Sequence, residues 1–296
     1  MSINILFITY NQESYIRQAI DGVLMQHLDS DVQVRIIVAD DCSTDDTLPI
    51  IRDCLGGSKT TFEGGQVAEV VYLTSNTNLG HVRNYQRAFA ACKGDFVAII
   101  EGDDYWNNAN HLQTRIDFMT DHPECVLTTQ CPVWYYEEEK RFDMREKIYV
   151  DEPGYKAIPL EEEIYDNQIT NLSSCVIRGH AIRKLNEQIF SCSILDWPLY
   201  IDLYRFGLLY VLSGTSNVYR ASNKGLYSGL GDDDQRQARL KYLTEMATIF
   251  PQYESYFNEA KDKLQPKKKV KSRLRIVVEV LLTPFVACHQ IGRAHV

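Results

Sequence analysis

The sequence predicts an α/β protein in which a mostly parallel sheet is flanked by helices and followed by a helical C-terminal extension. Three observations predict it. Ile3–Thr9 is a short run, apolar apart from Asn4 and Thr9, the pattern of a strand buried on both faces. Further runs of this kind alternate with segments of helical period, as stacked βαβ units do. Polar and acidic residues gather at the ends of these runs rather than inside them.

The elements follow in order. After the first strand, Asn11 is expected to cap a helix whose apolar positions Tyr15, Ile16, Ala19, Ile20, Val23 and Leu24 share one face. Residues 34–39 form the second strand. Ser43 with Asp46 three residues on has the spacing of a capping box and starts a helix over 47–54. Residues 56–65 read as a surface loop, 67–73 as a strand, 82–92 as a helix and 96–100 as a strand. The rhythm then loosens: a helix over 111–120, one strand over 125–134, an irregular polar stretch over 135–159 and a strand over 173–177. A helix over 198–205, an apolar stretch at 208–212, a Gly/Ser/Asn/Asp-rich loop over 222–234 and helices broken at Pro251 complete the body.

With 296 residues the chain is long enough for a sizeable core. The formal charge of −9 is uneven, because from Lys267 onward seven Lys/Arg face one acid, Glu279. The body is therefore more acidic than the whole and repels nucleic acid, so no nucleic-acid partner is expected. Eight cysteines are scattered without a CxxC pair, several inside apolar runs, as buried thiols in a reducing compartment are. Met1 leads straight into the first strand with no basic segment or cleavage site, so a cytoplasmic location is expected.

Ligands of doubly wound sheets bind beyond the carboxyl ends of the strands. Three such ends carry polar clusters: Thr9-Tyr10-Asn11, Asp40-Asp41-Cys42-Ser43 and Glu101-Gly102-Asp103-Asp104. No GxGxxG and no GxxxxGK[ST] is present, so dinucleotide and P-loop readings lose their main support. Carboxylates suit a phosphate-bearing ligand only when a cation stands between them, and hard oxygen ligands fit Mg²⁺ or Mn²⁺. Gly102 is expected to permit a sharp turn and close approach of a ligand.

These clusters, with Asn78-Leu79-Gly80, Tyr105-Trp106, Ile169–Ser174, Asp196-Trp197-Pro198-Leu199 and Tyr219-Arg220, resemble the bacterial family 2 glycosyltransferases of GT-A fold over the first three quarters of the chain. The resemblance implies a GT-A domain over 1–222, with a nucleotide-binding half (1–105) and an acceptor half (106–222), then a mobile loop and helical extension over 223–266. It implies inverting transfer from a nucleotide-diphosphate sugar, a UDP-sugar by expectation, to a hydroxyl of a glycan or lipid-linked acceptor in surface polysaccharide assembly. Tyr10 would stack on the base and Asp41 accept from its N–H, with Thr9, Asn11 and Asp40 in the same region. Glu101 would face the ribose, Asp103 would ligate Mn²⁺ or Mg²⁺, and Asp104 would act beside it or in the sugar site. Arg83 would reach the nucleotide, Trp106 and Trp197 would contact sugar, and Asp196 would be the catalytic base, a role compatible with an N-terminal helix position. Where many relatives carry a metal-binding His after the Tyr-Arg pair, this chain has Ser222. A nucleotidyltransferase and a non-catalytic sugar- or nucleotide-binding module stay open as alternatives.

The basic run Lys267–Arg275 precedes Ile276–Val286, an apolar stretch shorter than the roughly 20 residues a spanning helix needs. Over 267–290 this pattern suggests attachment to an anionic membrane surface. The last six residues, Ile291–Val296, match the translation of a common sequencing-adapter read, so the native C-terminus is expected beyond them.

Overall fold

The computed structural model describes residues 1–145, 148, 150, 151, 153–169, 171–223, 225 and 227–265. Met1–Lys263 forms one compact unit. A second unit, Leu264–Val296, lies outside the described residues except for its first two, and with it the expected membrane-surface segment and the suspect terminus.

The main sheet has nine strands: β1 (Ser2–Thr9), β2 (Gln33–Asp40), β3 (Lys59–Thr61), β4 (Val67–Leu73), β5 (Phe96–Glu101), β7 (Cys125–Gln130), β10 (Tyr155–Ile158), β11 (Val176–Arg178) and β12 (Leu208–Leu212). Their spatial order is β10-β12-β7-β11-β5-β1-β2-β4-β3. Strands β1, β2, β4, β5, β7 and β12 run one way, and β3, β10 and β11 run against them. A smaller sheet, ordered β6-β13-β8-β9, joins β6 (Tyr105–Trp106), β8 (Val133–Tyr136), β9 (Arg141–Met144) and β13 (Asn217–Ala221). The helices are α1 (Ile16–Leu24), α2 (Thr47–Leu55), α3 (His81–Ala91), α4 (His111–Asp121), α5 (Leu160–Tyr165), α6 (Gly179–Ile182), α7 (Asp196–Leu203), α8 (Asp232–Ile249) and α9 (Glu254–Leu264).

The central strands are fully buried, as their apolar runs demand: Ile3, Ile5 and Phe7 of β1 pack with Ile36 and Val38 of β2 and with Ala98 and Ile100 of β5. Burying each large side chain contributes about 1.5–3 kcal/mol, which fixes the register firmly. That register pairs Thr9 with Asp40 and Ile8 with Glu101. The chain leaves β1 toward β2 on one side, whereas β5 returns on the other side of β1. A crevice opens at such a reversal, and here its rims are the loops after β1, β2 and β5.

Several local expectations give way to tertiary contacts. Asn11 does not cap α1: it adopts φ 52°, and its Oδ1 accepts from Thr44 N at 2.8 Å. The Ser43–Asp46 capping box does not form either. Ser43 bonds to Asp40 and Asn11, and Asp45 accepts from Thr47 N at 3.0 Å instead. The single strand expected over 125–134 is two strands, β7 and β8, in different sheets. The stretch read as irregular contains β9 and β10, and the loop over 56–65 contains β3. The strand expected over 173–177 is preceded by a 3₁₀ turn, Leu172–Ser174, and begins at Val176.

Helix α1 lies against β6 so closely that a Cβ on Gly22 would meet Trp106 O at 2.6 Å and Trp106 N at 2.9 Å. In a free helix Gly22→Ala would gain about 1 kcal/mol. Here the clash reverses the sign, and urea unfolding is expected to show a loss of about 1–3 kcal/mol. Gly57→Ala, where nothing lies within 4 Å, should leave stability nearly unchanged.

Candidate active site

The first two strand ends form one hydrogen-bonded platform. Thr9 is buried with its Oγ1 lacking a partner, whereas the ring of Tyr10 is 45% exposed and free to stack. Asp40 turns inward, accepting from Ser43 N at 3.0 Å and from its hydroxyl, while Arg87 donates to the Asp40 carbonyl. The buried Asp41 carboxylate accepts from Leu79 N at 2.8 Å and Gly80 N at 2.9 Å. It thereby clasps the Asn78-Leu79-Gly80 turn to the end of β2. A carboxylate has about four lone-pair sites, so these bonds leave acceptor capacity. His81 opens α3 directly after this turn; burial lowers its pKa, and the charges of Asp196 and Asp41 oppose that effect.

The loop after β5 holds three carboxylates in four residues. Glu101 accepts from the Tyr85 hydroxyl at 2.9 Å, and its backbone N–H donates to Ser173 Oγ at 3.0 Å. Burial, then the neighbouring Asp103 and Asp104, push its pKa well above the ordinary carboxylate range. Asp104 accepts from Arg220 N at 2.9 Å and Asn171 Nδ2 at 2.8 Å. Burial, and after it Asp103, raises its pKa to about 7. Asp103 is half-buried and raised by burial, opposed by Arg220. Arg220 donates through Nε to the Asp103 carbonyl at 2.9 Å and through Nη2 to Gln18 Oε1 at 2.7 Å, and it pairs with Glu137.

Asp196 begins α7. Burial raises its pKa, opposed by the backbone N–H of Trp197, by Asn167 Nδ2 at 2.9 Å and by His81. Its charge acts on Tyr85 and Glu101 as well as on His81. Asp196 at the start of α7 therefore lies within electrostatic reach of Glu101 at the end of β5 and, like Asp41, of His81.

Some expected site residues lie elsewhere. Trp106 is 1% exposed, stacks on His111 with centroids 4.4 Å apart and donates to Ser173 O at 2.8 Å. Trp197 is 2% exposed and donates to Glu163 O at 2.6 Å. Neither ring offers a face to a sugar; both are pillars under the site, because their apolar area and single N–H are satisfied internally. Arg83 is exposed and donates to Gln86 on its own helix at 2.6 Å. Gly102 is buried, and the close approach it permits is to Gln12 and Ile16 side chains rather than to open space. Tyr85, Arg87, His81 and Asn167 belong to no sequence motif, whereas Asn171 lies within Ile169–Ser174 and Arg220 is half of the Tyr219-Arg220 pair.

Among the described residues no group of three His, Cys, Asp or Glu side chains is spaced to hold a metal ion. The donor set still fits a hard cation of the Mg²⁺ type, which binds through one or two carboxylates and takes its remaining ligands from substrate phosphates and water. Asp103 is suited to that role, since neither of its carboxylate oxygens is taken by another side chain among the described residues, unlike Asp104. Ser222 has its carbonyl bound to Ser228 Oγ and Gly225 N, both at 3.0 Å.

The chain is similar to several known proteins. An uncharacterized protein of Mycobacterium tuberculosis is 36% identical over 235 residues, 79% of this chain and 62% of the relative. The chain thus spans about three fifths of that protein's length. Poly(ribitol-phosphate) beta-N-acetylglucosaminyltransferase TarS of Staphylococcus aureus is 29% identical over 127 residues, 43% of this chain and 20% of TarS. The structure of TarS 1–349 in complex with UDP-GlcNAc superposes with a TM-score of 0.58 at 18% identity, covering 89% of this chain and 71% of that one. The mannosyltransferase PcManGT of Pyrobaculum calidifontis, in complex with GDP-Man and Mn²⁺, gives 0.59 at 13% identity over 88% and 69%. At such identities these likenesses show the shared fold alone. The sequence pattern of Glycosyl transferase family 2 matches residues 4–190, which contain both acidic loops and the Asp41-clasped turn, and this chain belongs to that family.

Proposed function

We propose that this chain transfers a sugar, with inversion, from a nucleoside-diphosphate sugar to a hydroxyl of a glycan or lipid-linked acceptor in cell-surface polysaccharide assembly. The observation that carries the reading is the meeting of Asp196 with both acidic loops at one crevice. A UDP-sugar is the preferred donor and surface polysaccharide the preferred product, by analogy with what TarS binds and is named for. Family membership argues against nucleotidyl transfer, and a donor-hydrolysis assay with Mn²⁺ separates an enzyme from a non-catalytic module.

In this reading the exposed ring of Tyr10 stacks on the base and Asp41 accepts its N–H. Glu101 faces the ribose. Asp103 would hold Mn²⁺ or Mg²⁺, which supplies charge neutralisation for the departing diphosphate. Asp196 takes the proton of the attacking acceptor hydroxyl on the face opposite the leaving group. Its raised pKa makes it a stronger base than an exposed aspartate, while its bonds to Asn167 and the Trp197 N–H keep it ionised and aimed. Tyr227, in the loop before α8, and Tyr242 on α8 lie within electrostatic reach of Asp196, which supports that loop as a cover excluding water. No helix among the described residues is long and apolar enough to cross a membrane. A cytoplasmic enzyme attached at the inner membrane face is the arrangement that the basic run Lys267–Arg275 favours.

Asp196→Asn should lower kcat about 10²–10⁴-fold while nucleotide-sugar binding, read as a thermal shift, persists. Asp103→Ala should instead abolish the Mn²⁺-dependent part of that shift; unchanged turnover in either variant refutes the assignment. The acid limb of kcat/KM should fall above the ordinary aspartate value of about 3.9, activity dropping as Asp196 protonates. Asn167→Ala removes a bond to the charged form, raises that pKa further and should move the limb to higher pH. The full chain should sediment with anionic vesicles at low salt and dissociate at high salt, and no sedimentation rules out the attachment.

A further inference from the structure

Beside α4 lies a cleft of about 500 Å³ that belongs to none of the acidic loops. Its wall includes Asn110, His111, Thr114 and Arg115 from the start of α4, with Gln130 at the end of β7 and Ser216 before β13. Arg115 is 0% exposed, yet no carboxylate among the described residues pairs with it. Its Nη1 donates to His111 O at 2.8 Å, and its Nη2 donates to Gln130 Oε1 and Ser216 Oγ, each at 3.1 Å, and to Ser174 O at 3.4 Å. Every one of these acceptors is neutral, and Nε has no partner at all. Beside it His111, 1% exposed, approaches Ser216 Oγ at 2.7 Å through Nδ1 and leaves Nε2 without a partner.

A buried cation among neutral dipoles is costly to desolvate, and proteins normally supply a counter-charge. None is supplied here among the described residues, and burial lowers the Arg115 pKa to about 9. Among the described residues the cleft's lining holds hydroxyl, amide and imidazole side chains and no acid. The N-terminal turns of an eleven-residue helix border it, adding partial positive charge.

We propose that this cleft binds a phosphate-class oxyanion, with Arg115 beneath the floor as counter-charge and the hydroxyl and amide groups of the start of α4 as direct donors. The anion is either free phosphate or a phosphate within a chain, since both present the same oxygens.

The test is a titration of the full chain, at constant ionic strength, with inorganic phosphate and separately with the diester glycerophosphoglycerol. The readout is the ¹⁵Nε–¹Hε signal of Arg115, assigned by its loss in Arg115→Lys, together with the Thr114 and Ser216 amides, which report even if that variant does not fold. A saturable shift with phosphate alone assigns a free ion, and one with the diester assigns a chain phosphate; either supports the site. Thr114→Glu places a negative charge at the exposed mouth and should weaken binding at least about tenfold without changing Tm. Signals unmoved by both probes, or moved equally in Thr114→Glu, overturn the proposal.

Discussion

Arg220 is the interaction on which the acidic crevice depends. Three carboxylates within four residues repel one another, and burial intensifies the repulsion by removing water. Arg220 answers this with its whole length: its backbone N–H on Asp104, its Nε on the Asp103 carbonyl, and its remaining nitrogens on Glu137 and Gln18. Its guanidinium also lies over the rings of Tyr15, Tyr105 and Tyr135. One side chain thus ties α1, the loop after β5 and two strands of the smaller sheet. The loop keeps its shape while its charge stays only partly neutralised.

Charge and support are divided between different residues. Asp40 and Asp41 look alike in sequence, but Asp40 closes its own turn whereas Asp41 anchors a turn 38 residues away. Asp103 and Asp104 divide in the same way, Asp104 being held by Asn171 and Arg220 and Asp103 left open at its oxygens. Trp106 and Trp197 fill the space beneath.

The first hundred residues were legible because their signals are local. Apolar runs at strand spacing gave β1, β2, β4 and β5 within a residue or two, and the acids at their ends marked the crevice. The second half was less legible because its elements take their roles from distant partners. Val133–Tyr136 continues an apolar run in sequence but crosses to another sheet, and β9 and β10 are short and polar. The tryptophans misled for a related reason: proximity to acidic residues in sequence says nothing about which face is covered. Asn11 and Ser43 have cap chemistry, yet each is engaged by the other's loop. His81 and Asn167 have no motif at all, and only the fold brings them to Asp196.

Gln18 and Arg220 meet across 202 residues of chain, whereas the sheet at β1, β2, β4 and β5 is closed by short crossovers. Contacts between distant residues form late, since loop closure must precede them. During synthesis β1, β2, β4 and β5 can pair long before β13 leaves the ribosome. The acid loop then waits without its brace, and competence arrives only with the last strand, so an interrupted chain holds the framework of the crevice but not its working form.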